Sequence, residues 1–387
     1  MLRRRITIVA LVCLVLSALL ILLHLPIGTN SRVMAQGLGR DASQPDATAH
    51  QVFLPAVEKS TVALPSFLTE YPVSASPLHV AVESPGHIWF TLPDQNQIGR
   101  LVVTSPTQYQ VSTYAVPTVN SEPYDLEYAA GIVWFTERMG NKIGRLVPAT
   151  GTIDEFTIPT ANSQPTGIVA VAGSPTQVWF TERSGNALGK LVVNSVADYT
   201  FTEYALPGSY LNAQPEDLYI VTTDIIWFTA PGVSRFARFR PSLWPSSSAF
   251  DFVFAGSGSL PWAIKVDSGG YPWLTDRTGN RIGMFFPQTI SDMRWYPLPN
   301  ASSDPFGLAI AQGFVWFTER GGNRIGRIDP SSHTLRELNL PSGSVPEGLA
   351  ADTDGCIWIA ERGRNQIASW CSPYFLSVYL PLIQRGQ

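Results

Sequence analysis

The chain has 387 residues, of which 14 % are charged and 11 % aromatic, with 31 glycines, 31 prolines and a formal net charge of -4. So few charges, with no Lys/Arg cluster beyond the first five residues, exclude a phosphate-tracking nucleic-acid surface. The richness in Gly, Pro and aromatics favours short strands and tight turns over long helices, which is an all-β composition.

In chain order the first element is a targeting segment. Arg3, Arg4 and Arg5 precede an apolar run from Ile6 to about Ile27, which reads as a signal peptide or a membrane anchor. Val33, Met34 and Ala35 offer small-residue cleavage chemistry just beyond it, so cleavage and anchoring both stay open. Either outcome puts the rest of the chain outside the cytoplasm, secreted or extracytoplasmic, and confines membrane contact to residues 1–35. Cys13 sits in the apolar run without a lipobox. Residues 36–65 are small, polar and Pro-containing; they cannot bury enough apolar surface to fold alone and read as a linker.

From residue 66 to 373 the sequence repeats. IWFTLPDQNQIGRL from Ile88, VWFTERMGNKIGRL from Val133, VWFTERSGNALGKL from Val178 and VWFTERGGNRIGRI from Val315 are near copies. Weaker copies start at Ile226, Pro272 and Ile357. The central tryptophans Trp89, Trp134, Trp179, Trp227, Trp273, Trp316 and Trp358 are 45, 45, 48, 46, 43 and 42 residues apart, the length of one four-stranded propeller blade. The predicted fold is a seven-bladed β-propeller of four-stranded antiparallel blades. In the third copy GIVAVAG forms the inner strand, QVWFTER the second, ALGKLVV the third and TFTEYALP the outer strand, with a turn at Gly185 and Asn186. Trp and Phe of each WFT point to opposite faces, and both faces are apolar because a blade is covered on both sides. The small residues Gly99, Gly144, Gly189, Ala237, Gly283, Gly326 and Ala368 on the third strands make room for a large neighbour, for which the repeat Trp is the expected occupant.

Phase fixes the closure. SFLTEYPV, residues 66–73, is an outer-strand pattern with no strands of its own, whereas the last copy lacks an outer strand. Residues 66–73 therefore complete the seventh blade and remove an open edge, with Tyr374 to Pro381 as the competing segment. Cys356 and Cys371 flank the last hairpin; their odd separation puts them opposite each other only if the loop has an even length, such as Arg362 to Asn365. The alternative is two buried thiols. Residues 374–387 form a C-terminal tail whose SVYLPLIQRG is like the linker's QVFLPAVEKS, a pattern suggestive of surface sorting.

The repeat WFTE-x-x-x-N-x-I-G-R resembles the streptogramin B lyase family, also called virginiamycin B lyases, over about residues 66–372. The resemblance implies a seven-bladed propeller that opens a cyclic depsipeptide by magnesium-dependent elimination. It further implies a Glu-Pro-His-Gly motif before the WFTE strand, with His as base, a second His from a neighbouring blade, and two Glu side chains on the metal. This chain departs from that pattern. After Pro77, Pro123, Pro165, Pro215, Pro261, Pro305 and Pro346 stand Leu78, Tyr124, Thr166, Glu216, Trp262, Phe306 and Glu347, none of them His. A base working near neutral pH is most readily an imidazole.

The remaining histidines offer little. His24 and His50 lie in the N-terminal segments, His87 in a turn and His333 in an outer turn. His79 stands one position beyond the family's site, an offset that normally reverses the face of a strand. Only the second blade keeps the acidic half of the motif, so Glu122 and Glu137 are the candidate magnesium ligands. The competing reading makes Glu137, Glu182, Glu319 and Glu361 solvated strand-end residues beside Arg138, Arg183, Arg320 and Arg362.

The preferred expectation is an exported propeller, monomeric, whose ligand site is built from Tyr124, Asp125, Glu216, Asp217, Trp262, Phe306 and Glu347 at the channel mouth. The ligand is a small or peptide-like molecule with polar or cationic and apolar parts, or a cell-surface partner. The alternative is a magnesium-dependent C–O lyase acting on a cyclic depsipeptide, or a lactonase-like hydrolase. P-loop, Gly-x-Ser-x-Gly, dinucleotide and Cys/His metal motifs are absent from the sequence.

Overall fold

A computed structural model of the chain describes residues 67–173, 176–288 and 292–371. These residues form seven four-stranded antiparallel sheets. In six of them sheet order follows chain order, as in Pro165–Val171, Thr176–Glu182, Ala187–Ser195 and Asp198–Ala205 of the third blade. The seventh takes its outer strand from the other end of the chain: Leu68–Pro72 pairs with Gln366–Trp370, Leu68 opposite Trp370 and Pro72 opposite Gln366. That is the closure expected from the phase of the repeats; Tyr374 to Pro381 lies outside the described residues, as do residues 1–66. Inner strands pack one against the next around the ring, and Gly348 N of the seventh blade donates to Leu78 O of the first (2.9 Å).

All seven repeat tryptophans are buried, as are the residues that follow them, from Phe90 in the first blade to Ile359 in the seventh. At four of the small third-strand positions the room serves the second of these residues, and not the Trp as expected, while at Gly283 it serves Trp295 of the outer strand. Phe90 pairs with Gly99, Phe135 with Gly144, Phe180 with Gly189 and Phe317 with Gly326, and a Cβ on Gly99 would lie 2.1 Å from the Phe90 ring. The ring lies flat across its cross-strand partner, so a side chain there has no space.

Two polar letters of the repeat are structural for definite reasons. Thr91, Thr136, Thr181, Thr229, Thr275 and Thr318 each donate their hydroxyl to the carbonyl of the post-proline residue of the next blade, at 2.7–3.1 Å. The same hydroxyls accept from backbone N–H groups within their own blades, as from Asp125 N to Thr136 Oγ1 (3.1 Å). Each threonine thus stitches two blades at the wall of the channel. The repeat Asn sits in the left-handed region that its turn requires (Asn141, φ 55°), and its side-chain oxygen accepts from the connection into the next blade, Ser163 N to Asn141 Oδ1 at 2.7 Å. Thr136→Val removes two buried bonds with little change of shape, and about 1–3 kcal/mol of stability should be lost in urea denaturation.

At the ring closure Ile357 pairs with Trp370 across the loop Arg362 to Asn365, so Cys356 and Cys371 stand opposite one another just beyond. They form a disulfide with a Cα–Cα distance of 4.2 Å.

Candidate functional site

In most blades the inner strand opens with a β-bulge. In the second blade Pro123 pairs with Glu137 and Leu126 with Phe135, so three steps on one strand match two on the other. The extra residue breaks the alternation of faces, and both Tyr124 and Asp125 turn towards the axis. The same local geometry brings His79 into the channel wall beside Asp125, with His79 Nδ1 at 3.0 Å from Asp125 Oδ1. A strict alternation would have turned His79 away.

The post-proline residues close one end of the channel. Leu78, Tyr124 and Phe306 are buried as one cluster with Trp262 packed on it, and Thr166, Glu216 and Glu347 are buried beside them. Over this plug lie the arginines of the repeat. The Arg138 guanidinium sits 4.7 Å from the centre of the Tyr124 ring, Arg277 4.4 Å from Trp262, and Arg320 5.4 Å from Phe306. Each arginine is also held by acids: Arg138 by Glu122, Arg183 by Glu216, Arg277 and Arg320 by Asp304, and Arg362 by Glu347 and Asp94. Tyr124 Oη donates to Glu216 Oε1 at 2.7 Å. Burial, with Glu216 and its negative charge behind it, pushes the Tyr124 hydroxyl well above its usual pKa. The mouth expected at the inner-strand starts is therefore a sealed end.

The glutamates of WFTE are not solvated. Glu137, Glu182, Glu319 and Glu361 are fully buried, because each shares the face of the buried apolar residue two before it, Phe135, Phe180, Phe317 and Ile359. Burial, and then the nearby Glu155 carboxylate, push Glu137 up to about 8, with Lys142 opposing. Glu122 is given over to Arg138. A divalent cation would meet one guanidinium-paired carboxylate and one buried carboxyl that keeps its proton at neutral pH, a poor fit to magnesium. No group of three or more His, Cys, Asp or Glu gathers as a metal would require among the described residues.

Beyond the plug the channel is hollow. A cavity of about 920 Å³ runs along the inner strands and reaches their far ends at Val171, Thr222, Ile310 and Ala351, where Val221 and Thr222 are exposed. Six of the seven sequence-predicted ligand residues, Tyr124, Asp125, Glu216, Asp217, Trp262 and Phe306, line it, mostly at its floor. Glu347 does not; it lies under Arg320 and Arg362.

One turn of the wall is formed by the residues paired with the repeat tryptophans, in ring order Ala81, Glu127, Val169, Tyr219, Lys265, Ala309 and Ala350. Lys265 Nζ is 3.3 Å from Asp217 Oδ2. Asp217 also accepts from Ile264 N at 2.8 Å, and Asp125 accepts from Leu126 N and Ile168 N at 2.9 and 3.2 Å, so backbone donors fix both carboxylates. Burial works against a charged Asp125, but His79 beside it pulls its pKa below the usual carboxylate value. Burial likewise resists charge on His79, and Asp125 overrides it and raises the imidazole. Burial lifts Asp217. His79, Glu127 and Lys265 were not among the sequence-predicted site residues; the signal for the last two was a charged residue opposite a repeat Trp where four other blades have Ala or Val.

The fold and this wall define a closed-ring propeller with a one-ended, ionisable central cavity. The chain belongs to the virginiamycin B lyase family, whose model matches residues 60–314. It is similar to a streptogramin B lyase structure (26 % identity over 78 % of this chain and 96 % of that one, TM-score 0.68). Virginiamycin B lyase from Staphylococcus aureus is similar to the same degree (26 % identity, 78 % and 98 % covered, TM-score 0.68). A catalytically inactive variant of the Staphylococcus aureus enzyme with quinupristin matches at 25 % identity, 78 % and 98 % covered, TM-score 0.68. A comparison with curated proteins finds no match.

Proposed function

We propose that this chain is an exported propeller that binds a small ligand in its central channel, and that the lyase chemistry of its named relatives is not retained. The observation that carries this reading is the plug: seven post-proline positions without an imidazole, six of them buried, beneath a layer of paired arginines. Elimination from a depsipeptide ester needs a base for the α-proton and an electrophile for the developing charge. Neither has a counterpart at the sealed end, and loss of a positioned base alone costs about two to four orders of magnitude in rate. The hollow, partly charged channel on the other side of the plug is a concave site with apolar walls and a few convergent polar groups, the usual form of a small-molecule pocket. The apolar run from Ile6 supports export.

A general-base enzyme working from His79 is the second reading, favoured by the His79–Asp125 pair. It stands behind the first because His79 Nε2 is buried without a partner, in a ring packed against Tyr124 and Phe306 at 5.3 and 6.0 Å between centres. Incubation of the purified protein with quinupristin and magnesium, followed by mass spectrometry, is expected to show no ring-opened product. Efficient linearisation would overturn the binding reading, and its loss in His79→Gln would transfer the activity to the channel.

A further inference from the structure

The ionisable groups of the channel do not balance. Glu216 belongs to the plug and is paired with Arg183; Asp125 is paired with His79, and Asp217 with Lys265. Glu127 has no hydrogen bond or ion pair among the described residues, although protein surrounds it on every side except the cavity it lines. Lys265 is committed to Asp217, and Asp125 is its next acid in order of influence. A buried carboxylate without a partner is costly unless something supplies a counter-charge. At the level of Glu127 the adjacent blades carry Ala81 and Val169, and across the channel stand Ala309 and Lys265, the latter held by Asp217, so most of this level offers apolar contact and space.

We infer that Glu127 anchors the cationic head of the channel's ligand, a primary ammonium carried on an aliphatic chain. This rests on the channel-binding reading above and names its ligand class. The ammonium enters from the open end, donates to the Glu127 carboxylate, and leaves its chain along the alanine and valine wall. An anionic head would face three carboxyls at this level and below, with both cations already paired. Burial, and then Asp125, hold the Glu127 carboxyl up to about 7, with Lys265 opposing. A bound ammonium favours the ionised form, so binding releases protons and tightens as pH rises from 6 to 8. The other groups facing Glu127 are Asp217 and Lys265, and Lys265 stays charged throughout that range.

The test uses the full-length protein and three probes of equal length, n-hexylammonium, hexanoate and 1-hexanol, in isothermal titration calorimetry. Hexylammonium is expected to bind once per chain and more tightly than the other two, to weaken at least tenfold in Glu127→Gln, and to release protons in buffers of different ionisation heat. Hexylammonium binding that is indifferent to both Glu127→Gln and pH would overturn the assignment. If hexanoate or hexanol binds better, and Ala350→Phe abolishes it by filling the channel, the cation assignment falls while the channel-binding reading stands. Absence of binding by all three probes would remove both.

Discussion

Deleting residues 36–73 is expected to cost at least about 4 kcal/mol of folding stability, by analogy with loss of a buried aromatic and its neighbours, whereas deleting residues 36–60 should leave the propeller unchanged. The difference is the strand Leu68–Pro72. Its Tyr71 is buried and stacks on Trp358 with ring centres 5.9 Å apart, so removal opens the core of the seventh blade. Val73 N donates to Asn365 O at 2.9 Å, and Arg364 reaches Glu70 at 3.2 Å; both contacts tie the two ends of the domain together. Without this strand, Gln366–Trp370 becomes an unpaired edge, which invites association with other chains as well as unfolding. Thermal denaturation of the two deletions should place the longer one at least about 8 °C lower, taking roughly 2–4 °C per kcal/mol for a domain of this order. Equal midpoints would mean that the ring closes without residues 66–73.

The blade count, the closure and the cysteine pairing were legible because each depends on spacing and parity, which a sequence carries directly. Trp-to-Trp distances set the blade length, and an even loop at Arg362 to Asn365 put Cys356 opposite Cys371. Parity also held the answer for the buried glutamates: Phe135 and Glu137 are two apart on one strand and share a face, so the environment of one predicts that of the other. Treating Glu137 as a solvated strand end set that rule aside. The channel was less legible for a physical reason. The bulge after most of these prolines adds a residue that no hydrophobic pattern announces, and in the second blade it turns Tyr124 and Asp125 to the same side. The sealing of the mouth depends on long side chains crossing between blades, as Arg277 of the fifth blade does in reaching Asp304 and Phe306 of the sixth. Such contacts between repeats have no local signature in one repeat.

The protein is expected to be markedly more stable at pH 5.5 than at pH 8, an unusual direction that follows from the same buried glutamates. Burial is the main cause that holds Glu137, Glu182 and Glu361 up to about 8, and the carboxylates of Glu155, Glu203 and Glu70 respectively add to it. In the unfolded chain a glutamate titrates near pH 4.3. Between about pH 4.3 and about 8, the unfolded chain has therefore lost these protons while the folded chain keeps them, and stability falls as pH rises. Their contribution is complete below the lower bound, lost through about pH 8, and unchanged above it. Each group can lower stability by up to about 1.4 kcal/mol per pH unit within that window. His79 acts in the same direction, since its raised pKa means that a favourable charge is lost as pH climbs. Asp125, Glu155 and Asp304 have depressed pKa values and favour higher pH, but their windows lie below the ordinary carboxylate range and are already closed at pH 5.5. The thermal midpoint should thus drop by at least about 5 °C between pH 5.5 and pH 8, on the same 2–4 °C per kcal/mol. Glu182→Gln keeps the shape and cannot ionise, so it should raise stability at pH 8 and flatten the profile. A midpoint that is level or rises over this range, or a Glu182→Gln protein less stable at pH 8 than the parent, would show that the buried carboxyls are ionised in the folded blades.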